Sequence, residues 1–381
     1  MQGVEEFRAE VRDWLAENLV GEFAALKGLG GPGREHEAFE ERRSWNQHLA
    51  HAGLTCLGWP VEHGGRGLSV AHRVAFYEEY AIANAPAKVN HFGEELLGPT
   101  LIAFGTPEQQ QRFLPRILDV TELWSQGYSE PGAGSDLANV STTAVLDDDE
   151  WVINGQKVWT SLAHWAQWCF VVARSEKGSK RHAGLSYLLV PLDQPGVEVR
   201  PIVQLTGDSE FNEVFFDDAR TDADLVVGQP GDGWRVAMGT LTFERGVSTL
   251  GQQIVYAREL SAVVELAKST GAADDPLIRE RLTRSWAGLR AMRSYALATM
   301  DVEQPGQDNV SKLLWANWHR DLGEIAMDVR GKAGLVLTGG DFDEWQRLYL
   351  FTRADTIYGG SNEIQRNIIA ERVLGLPREA R

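Results

Sequence analysis

Gln126-Gly127-Tyr128-Ser129-Glu130-Pro131-Gly132-Ala133-Gly134-Ser135-Asp136 stands where the texture of the chain changes. Its glycines let a ligand approach the backbone closely. Its hydroxyls and amides can hydrogen-bond the edge of a heteroaromatic ring or phosphate oxygens. No Gly-Lys-Ser/Thr follows, so it is not a Walker loop, and its glycine spacing is not the dinucleotide G-x-G-x-x-G. Taken alone, its composition also suits a surface turn, so its surroundings must decide.

On the C-terminal side the chain reads as strands. Val140 to Leu146 alternates, and Trp151-Val152-Ile153 leads into Asn154-Gly155, a turn signal. Trp168 to Ala173, Leu185 to Leu192, Val197 to Leu205 and Glu213 to Phe216 are short runs of β-formers separated by Gly, Pro and Asp. Strands without intervening helices predict an antiparallel barrel or sandwich. On the N-terminal side the pattern is helical. Phe7, Val11, Trp14, Leu15 and Leu19 share one helix face, and Thr106-Pro107-Glu108-Gln109 carries a cap, a first-turn proline and a capping-box glutamine. From about residue 231 helices return: Trp234 to Leu266, Ile278 to Asp301, Val310 to Arg330 and Glu363 to Val373. The expected fold class is α+β: an N-terminal α-helical domain over 1–121, a β domain over 122–228 and a C-terminal four-helix-bundle domain over 229–381.

The 381 residues suit two or three domains. Lys+Arg 37 against Asp+Glu 54 gives a net charge of −17, which disfavours nucleic acid as a partner and leaves a phosphorylated ligand dependent on local donors. No run approaches the ~18 apolar residues of a membrane helix. Two cysteines, Cys56 and Cys169, cannot build a disulfide framework or a cysteine-rich metal site, so no metal is expected. The acidic, apolar-poor start is unlike a signal peptide, and a cytoplasmic location is the simplest expectation.

The glycine-rich stretch resembles the flavin-contacting loop of the acyl-CoA dehydrogenase family. Asn154-Gly155-Gln156-Lys157-Val158-Trp159-Thr160-Ser161 is similar to that family's second flavin segment, and Ile357-Tyr358-Gly359-Gly360-Ser361-Asn362-Glu363-Ile364-Gln365-Arg366-Asn367-Ile368 to its closing signature. The α-β-α order is also the family's. The resemblance implies FAD as cofactor, an acyl-CoA thioester as substrate and an electron-transfer flavoprotein as acceptor. It assigns Gln126, Tyr128, Ser129, Gly134, Ser135, Trp159, Ser161 and Ser361 to the cofactor. Trp159 would cover the isoalloxazine face, Ser161 would bond near N5, and Ser135 would also meet the CoA pyrophosphate.

In that chemistry a carboxylate removes the α-proton while the β-hydride goes to the flavin. Most family members place the carboxylate between the tyrosine and glycine of the closing signature, where this chain has Gly359. Some members use a glutamate immediately before an arginine on the long helix opening the C-terminal bundle. Thr240-Leu241-Thr242-Phe243-Glu244-Arg245 matches that pattern. The resemblance therefore implies Glu244 as base, with Arg245, Gly359 and Gly360 toward the substrate; the Gly359 N–H still offers a donor to the thioester oxygen.

A second departure concerns subunit contacts. Family homotetramers lend a neighbour's FAD an Arg-x-x-Phe-Gly segment and a Gln-x-x-Gly-Gly-x-Gly turn. Here the corresponding stretches read Gly271-Ala272-Ala273-Asp274-Asp275-Pro276-Leu277-Ile278-Arg279 and Asp328-Val329-Arg330-Gly331-Lys332-Ala333-Gly334. The lending elements are absent, and acids stand where a phosphate would come. Two assemblies follow: a homo-oligomer that binds FAD weakly, or a pairing with a homologous subunit. The latter resembles the actinobacterial α2β2 heterotetramers acting on steroid-derived CoA thioesters. A degenerate, non-catalytic subunit is the alternative reading.

Overall fold

Thr106 caps a helix as its sequence predicts. Its hydroxyl accepts the Gln109 N–H at 3.2 Å, and the Gln109 side chain accepts the Thr106 N–H at 3.1 Å. A computed structural model describes residues 2–243, 248–299, 305–337 and 339–378. In chain order the elements are α1 (Val4–Asn18), α2 (Phe39–His51), α3 (Val70–Ile82), α4 (Gly98–Phe104), α5 (Pro107–Leu118), β1 (Trp124–Gly127), β2 (Thr143–Asp147), β3 (Glu150–Ser161), β4 (Trp168–Arg174), β5 (Leu185–Pro191), β6 (Val197–Ile202) and β7 (Phe211–Asp222). The helices α6 (Gly233–Phe243), α7 (Ser248–Thr270), α8 (Pro276–Thr299), α9 (Gln307–Arg330), α10 (Glu344–Asp355) and α11 (Asn362–Ile368) follow. This helices-sheet-helices order is the expected α+β architecture. No helix of the described residues is long and apolar enough to cross a membrane.

The residues gather into two units that cut across the linear order. One comprises Met1–Asn18, Val70–Ala85 and Gly246–Arg381; the other comprises Leu19–Ser69 and Pro86–Arg245. The first is helical. Phe7, Val11 and Leu15 bury one face of α1. Leu282, Leu289 and Met292 of α8 and Trp318, Leu322, Ile325 and Val329 of α9 share a core with Tyr256, Leu260 and Val263 of α7. These spacings of three and four put each set on one helix face. Arg8 of α1 donates to Glu78 at 2.8 Å and Glu79 at 3.1 Å on α3, fixing that pair of helices side by side.

The second unit is built on a seven-stranded sheet in the order β1-β4-β2-β3-β7-β6, with β5 pairing β4. The β2–β3, β3–β7, β4–β5 and β6–β7 pairings are antiparallel. β1 lies parallel to β4, Trp124 opposite Trp168. β4 and β5 read as continuous apolar runs because both faces are buried: Phe170 and Val172 join one core, Cys169 and Val171 the other.

One expectation is corrected. Asn154-Gly155 is not a hairpin turn. It lies inside the twelve-residue β3, where the register against β7 shifts between Ile153 and Gly155. The hairpin closes instead at Asp148-Asp149, between β2 and β3. The extra residue of that shift lies on β7, between Phe216 and Ala219, while a Cβ on Gly155, whose φ is +148°, would fall 2.5–2.8 Å from Thr142, so the glycine serves a close approach.

Candidate active site

The glycine-rich stretch begins in β1 and is held to β3 by a buried ion pair. Trp151, Ile153 and Lys157 take the inner face of β3. A lysine there needs a partner, because an uncompensated buried charge is costly. Glu130 provides it at 2.7 Å, and the Lys157 ammonium also donates to the Tyr128 carbonyl at 3.2 Å and the Val172 carbonyl at 2.7 Å. Glu130 accepts from the Ser141 N–H, the Ser141 hydroxyl and the Thr142 N–H at 2.6–2.9 Å. Burial works against its ionisation, but Lys157 and these donors prevail and hold its pKa at about 2. Burial pulls the Lys157 pKa down, opposed by Glu130. The Val158 N–H donates to the Ser129 carbonyl at 2.9 Å. The two segments expected to contact a flavin are thus joined, although neither Glu130 nor Lys157 was singled out from sequence. The inward parity of Lys157 was the available signal.

A second register shift, between Lys157 and Thr160, brings Trp159 to the surface. Its φ is +60°, and 56% of the residue is exposed; its ring meets Phe211 edge-on at 6.1 Å. Thr160, on the other side of the shift, is wholly buried, and its carbonyl accepts from Asn212 Nδ2 at 3.0 Å. Thr160 Oγ1, Gln126 Nε2 and Trp124 Nε1 are buried with no hydrogen-bond partner. Each such group costs ~1–3 kcal/mol if left unpaired, so three on β1 and β3 call for a ligand or water. Trp124 is packed in the core against Phe113 and Trp168, whereas the Gln126 amide and the Thr160 hydroxyl, with the exposed indole of Trp159, form a set that fits a flavin ring. Ser129 and Ser161 are half-buried, whereas Gly134 and Ser135 are exposed. A Cβ on Gly132 or Gly134 would meet nothing within 4 Å, so no packing within the chain requires glycine there. Tyr128 is buried, edge-on to Phe170 at 5.9 Å, and its ring belongs to the core.

The closing signature lies in the helical unit. Gly359 and Gly360 take φ of +61° and +86°. Gln365 Nε2 donates to both of their carbonyls, at 2.9 and 3.2 Å, and Asn309 Nδ2 donates to Gln365 Oε1 at 2.5 Å. The Gly359 N–H finds no acceptor among the described residues. Ser361 caps α11, its hydroxyl accepting the Ile364 N–H at 3.4 Å. Glu244 and Arg245 lie outside the described residues, between α6 and α7. At the lending stretches, Asp275 accepts the Leu277 N–H at 2.8 Å where α8 begins, and Asp328 is ion-paired with Arg281.

Three family profiles match in order: the acyl-CoA dehydrogenase N-terminal domain over residues 2–121, the middle domain over 125–219 and the C-terminal domain over 231–374. The chain is 87% identical over 388 residues to acyl-CoA dehydrogenase IpdE1 of Mycolicibacterium smegmatis, covering 99% of each. It is 85% identical to acyl-CoA dehydrogenase IpdE1 of Mycobacterium tuberculosis over the whole of both. Among solved structures it matches the Tcur3481-Tcur3483 steroid ACAD at 30% identity and TM-score 0.83, over 99% of this chain and 98% of that one. It matches the ChsE4-ChsE5 complex of Mycobacterium tuberculosis at 30% identity and TM-score 0.82, with the same coverage. With three family domains in sequence and full-length identity of this order, the chain belongs to the acyl-CoA dehydrogenase family of flavin-dependent oxidoreductases.

Proposed function

We propose that the chain is the catalytic subunit of an FAD-dependent acyl-CoA dehydrogenase that assembles with a homologous partner and acts on a bulky CoA thioester of the steroid side-chain class. The observation that carries the cofactor reading is the pair of buried, unpartnered polar atoms, Gln126 Nε2 and Thr160 Oγ1, in segments that also expose Trp159. The substrate and assembly readings draw on relatives named as a steroid ACAD and as a two-protein complex.

When bound, the flavin supplies the acceptor for the hydride leaving the β-carbon. Trp159 covers the ring, Gln126 and Ser129 hold its edge with Tyr128 and Gly134 in the same loop, and Ser161 and Ser361 complete the cofactor contacts. Ser135 meets the CoA pyrophosphate. Glu244 takes the α-proton, with Arg245 beside it toward the substrate. The α-hydrogen of a thioester is a weak acid, so the oxygen that gains charge needs a fixed donor. The Gly359 N–H, with Gly360 next in the turn, is that donor. Loss of a proton and a hydride leaves the α,β-double bond, and an electron-transfer flavoprotein would be the final acceptor of the electron pair.

Gly359 is also what favours the alternative, a subunit without chemistry of its own, since it removes the usual carboxylate. Glu244→Gln in the co-expressed, flavin-loaded complex separates the two. The variant is expected to retain FAD and lose at least ~100-fold in turnover. Near-normal turnover would remove Glu244 from the mechanism, and an inactive wild-type complex would favour the non-catalytic reading.

A further inference from the structure

An ionic cluster, buried at His319, Lys312 and Asp355 and half-buried at Glu259, abuts the Tyr358-Gly359-Gly360 turn. Asp355, the last residue of α10, is 1% exposed. Its Oδ2 lies 2.7 Å from His319 Nδ1, and its Oδ1 accepts the Tyr358 hydroxyl at 2.6 Å. The other imidazole nitrogen, His319 Nε2, lies 2.9 Å from Glu259 Oε2 on α7. Ionised carboxylates only accept, so an imidazole between two of them must donate from both nitrogens and is an imidazolium. Lys312 Nζ donates to the Asp355 carbonyl at 2.7 Å, packs 4.4 Å over the Tyr358 ring, and lies 3.7 Å from where a Cβ on Gly359 would be.

The charges balance: two cations, His319 and Lys312, face two anions, Asp355 and Glu259. Tyr256 of α7 adds a buried phenol with its ring 4.5 Å from His319. Among the described residues, the contacts of α8 and α11 with α9 near the cluster are uncharged. α8 accepts a bond from Trp318 through the Ser285 carbonyl, and α11 meets α9 through the Asn362 and Gln365 amides.

We propose that His319 is a positioning residue: through Asp355 it fixes Tyr358, and through Tyr358 the left-handed turn that aims the Gly359 N–H at the thioester oxygen. The inference rests on the role given to Gly359 above. Tyr358 immediately precedes Gly359, so freeing its hydroxyl loosens the φ and ψ that orient that N–H. Burial opposes the charge on His319, but the bonds to Asp355 and Glu259 outweigh it and raise its pKa to about 9. The cluster therefore keeps its proton at neutral pH and releases it as pH rises through that value.

The test uses the co-expressed, FAD-loaded complex with 3-cyclohexylpropanoyl-CoA and its non-carbonyl thioether analogue as probes. His319→Gln is expected to keep FAD content, lower kcat about 10- to 100-fold with much less change in KM, and abolish the alkaline limb near pH 9 expected of wild type. Tyr358→Phe is expected to give a similar kcat loss, and the double variant no more than the larger single loss, because the two act in one chain. Both variants should also lose part of the preference for the thioester over the thioether, which only a carbonyl-directed role would change. Wild-type kcat in Tyr358→Phe, an unchanged alkaline limb in His319→Gln, or losses that multiply would overturn the proposal. If His319→Gln does not fold, Tyr358→Phe decides alone. An active wild type with a dead Glu244→Gln and unaffected His319 and Tyr358 variants rejects only this inference. An inactive wild type rejects the parent reading and this inference with it.

Discussion

At Trp159 the structure accepts strain in order to present an indole. A non-glycine residue in the left-handed region costs about 1 kcal/mol, and this one leaves 56% of itself in solvent with one edge-on contact to Phe211. Such a residue serves what binds it. Trp159→Gly is accordingly expected to raise the stability of the flavin-free protein by roughly 0.5–1 kcal/mol while lowering FAD retention. Thermal unfolding of the stripped protein and flavin absorbance after gel filtration read the two effects, and a less stable variant would mean that the indole's packing outweighs the strain. The residues flanking the bulge were named from the sequence because their segment was legible, but Thr160 was not. A one-residue slip reverses which side chains point inward, and the shift between Lys157 and Thr160 leaves no mark in the hydrophobic pattern.

β3 depends on the pair that ties it to the glycine-rich loop. Breaking a buried ion pair from one side leaves a charge without compensation, so Lys157→Met is expected to cost about 3–5 kcal/mol in denaturant unfolding and to loosen flavin binding. Replacing both partners, Lys157→Met with Glu130→Leu, should recover much of that loss, and no recovery would point to the Val172 and Tyr128 bonds instead. The pH dependence has a definite sign. Glu130 has its pKa depressed from 4.5 to about 2 in the folded state, so its contribution is present above pH 4.5 and is lost as pH falls toward 2. Lys157→Met should flatten that acid limb. Strands and long helices were legible because their apolar spacing repeats. β1 and α10 were missed: β1 spans only Trp124–Gly127 and merges into a glycine-rich loop. α10 has a capping box at Asp343 and Gln346, yet it follows a stretch without apolar periodicity. Asn154-Gly155 reads as a turn for a related reason, since a residue pair suited to a turn also suits any place where the backbone must pass close to a neighbour, as Gly155 does to Thr142.

For the whole molecule the open matter is its company. The chain lacks the family's lending arginine-aromatic-glycine element; of the acids in its place Asp275 is engaged at the start of α8, and Asp328, at the start of the second lending stretch, is offset by Arg281. On the proposed reading, Asp274 and the missing arginine would leave a neighbour's pyrophosphate without the family's cation. Leu335, Val336 and Leu337 meanwhile expose 83%, 60% and 48% of their surface, as an unsatisfied apolar patch would. The chain produced alone is therefore expected to be poorly soluble or flavin-poor, and co-expression with a homologous subunit to yield about one FAD per two chains by absorbance and native mass. A homotetramer with one FAD per subunit and full activity would refute this assembly. The division into two units also sets an order in time. The sheet-bearing unit is complete once residue 245 has been made, whereas α1 belongs to a unit that opens at residue 1 and is filled only after Gly246. At ~5–20 residues per second, α1 meets α3 within seconds through Phe7 on His72 and Arg8 on Glu78, but the pair then waits roughly 10–30 s for α7, whose Gly251 packs against Tyr77 of α3. What stays uncovered longest is therefore the face of α3 that α7 later closes, and that face is what a chaperone would shelter during synthesis.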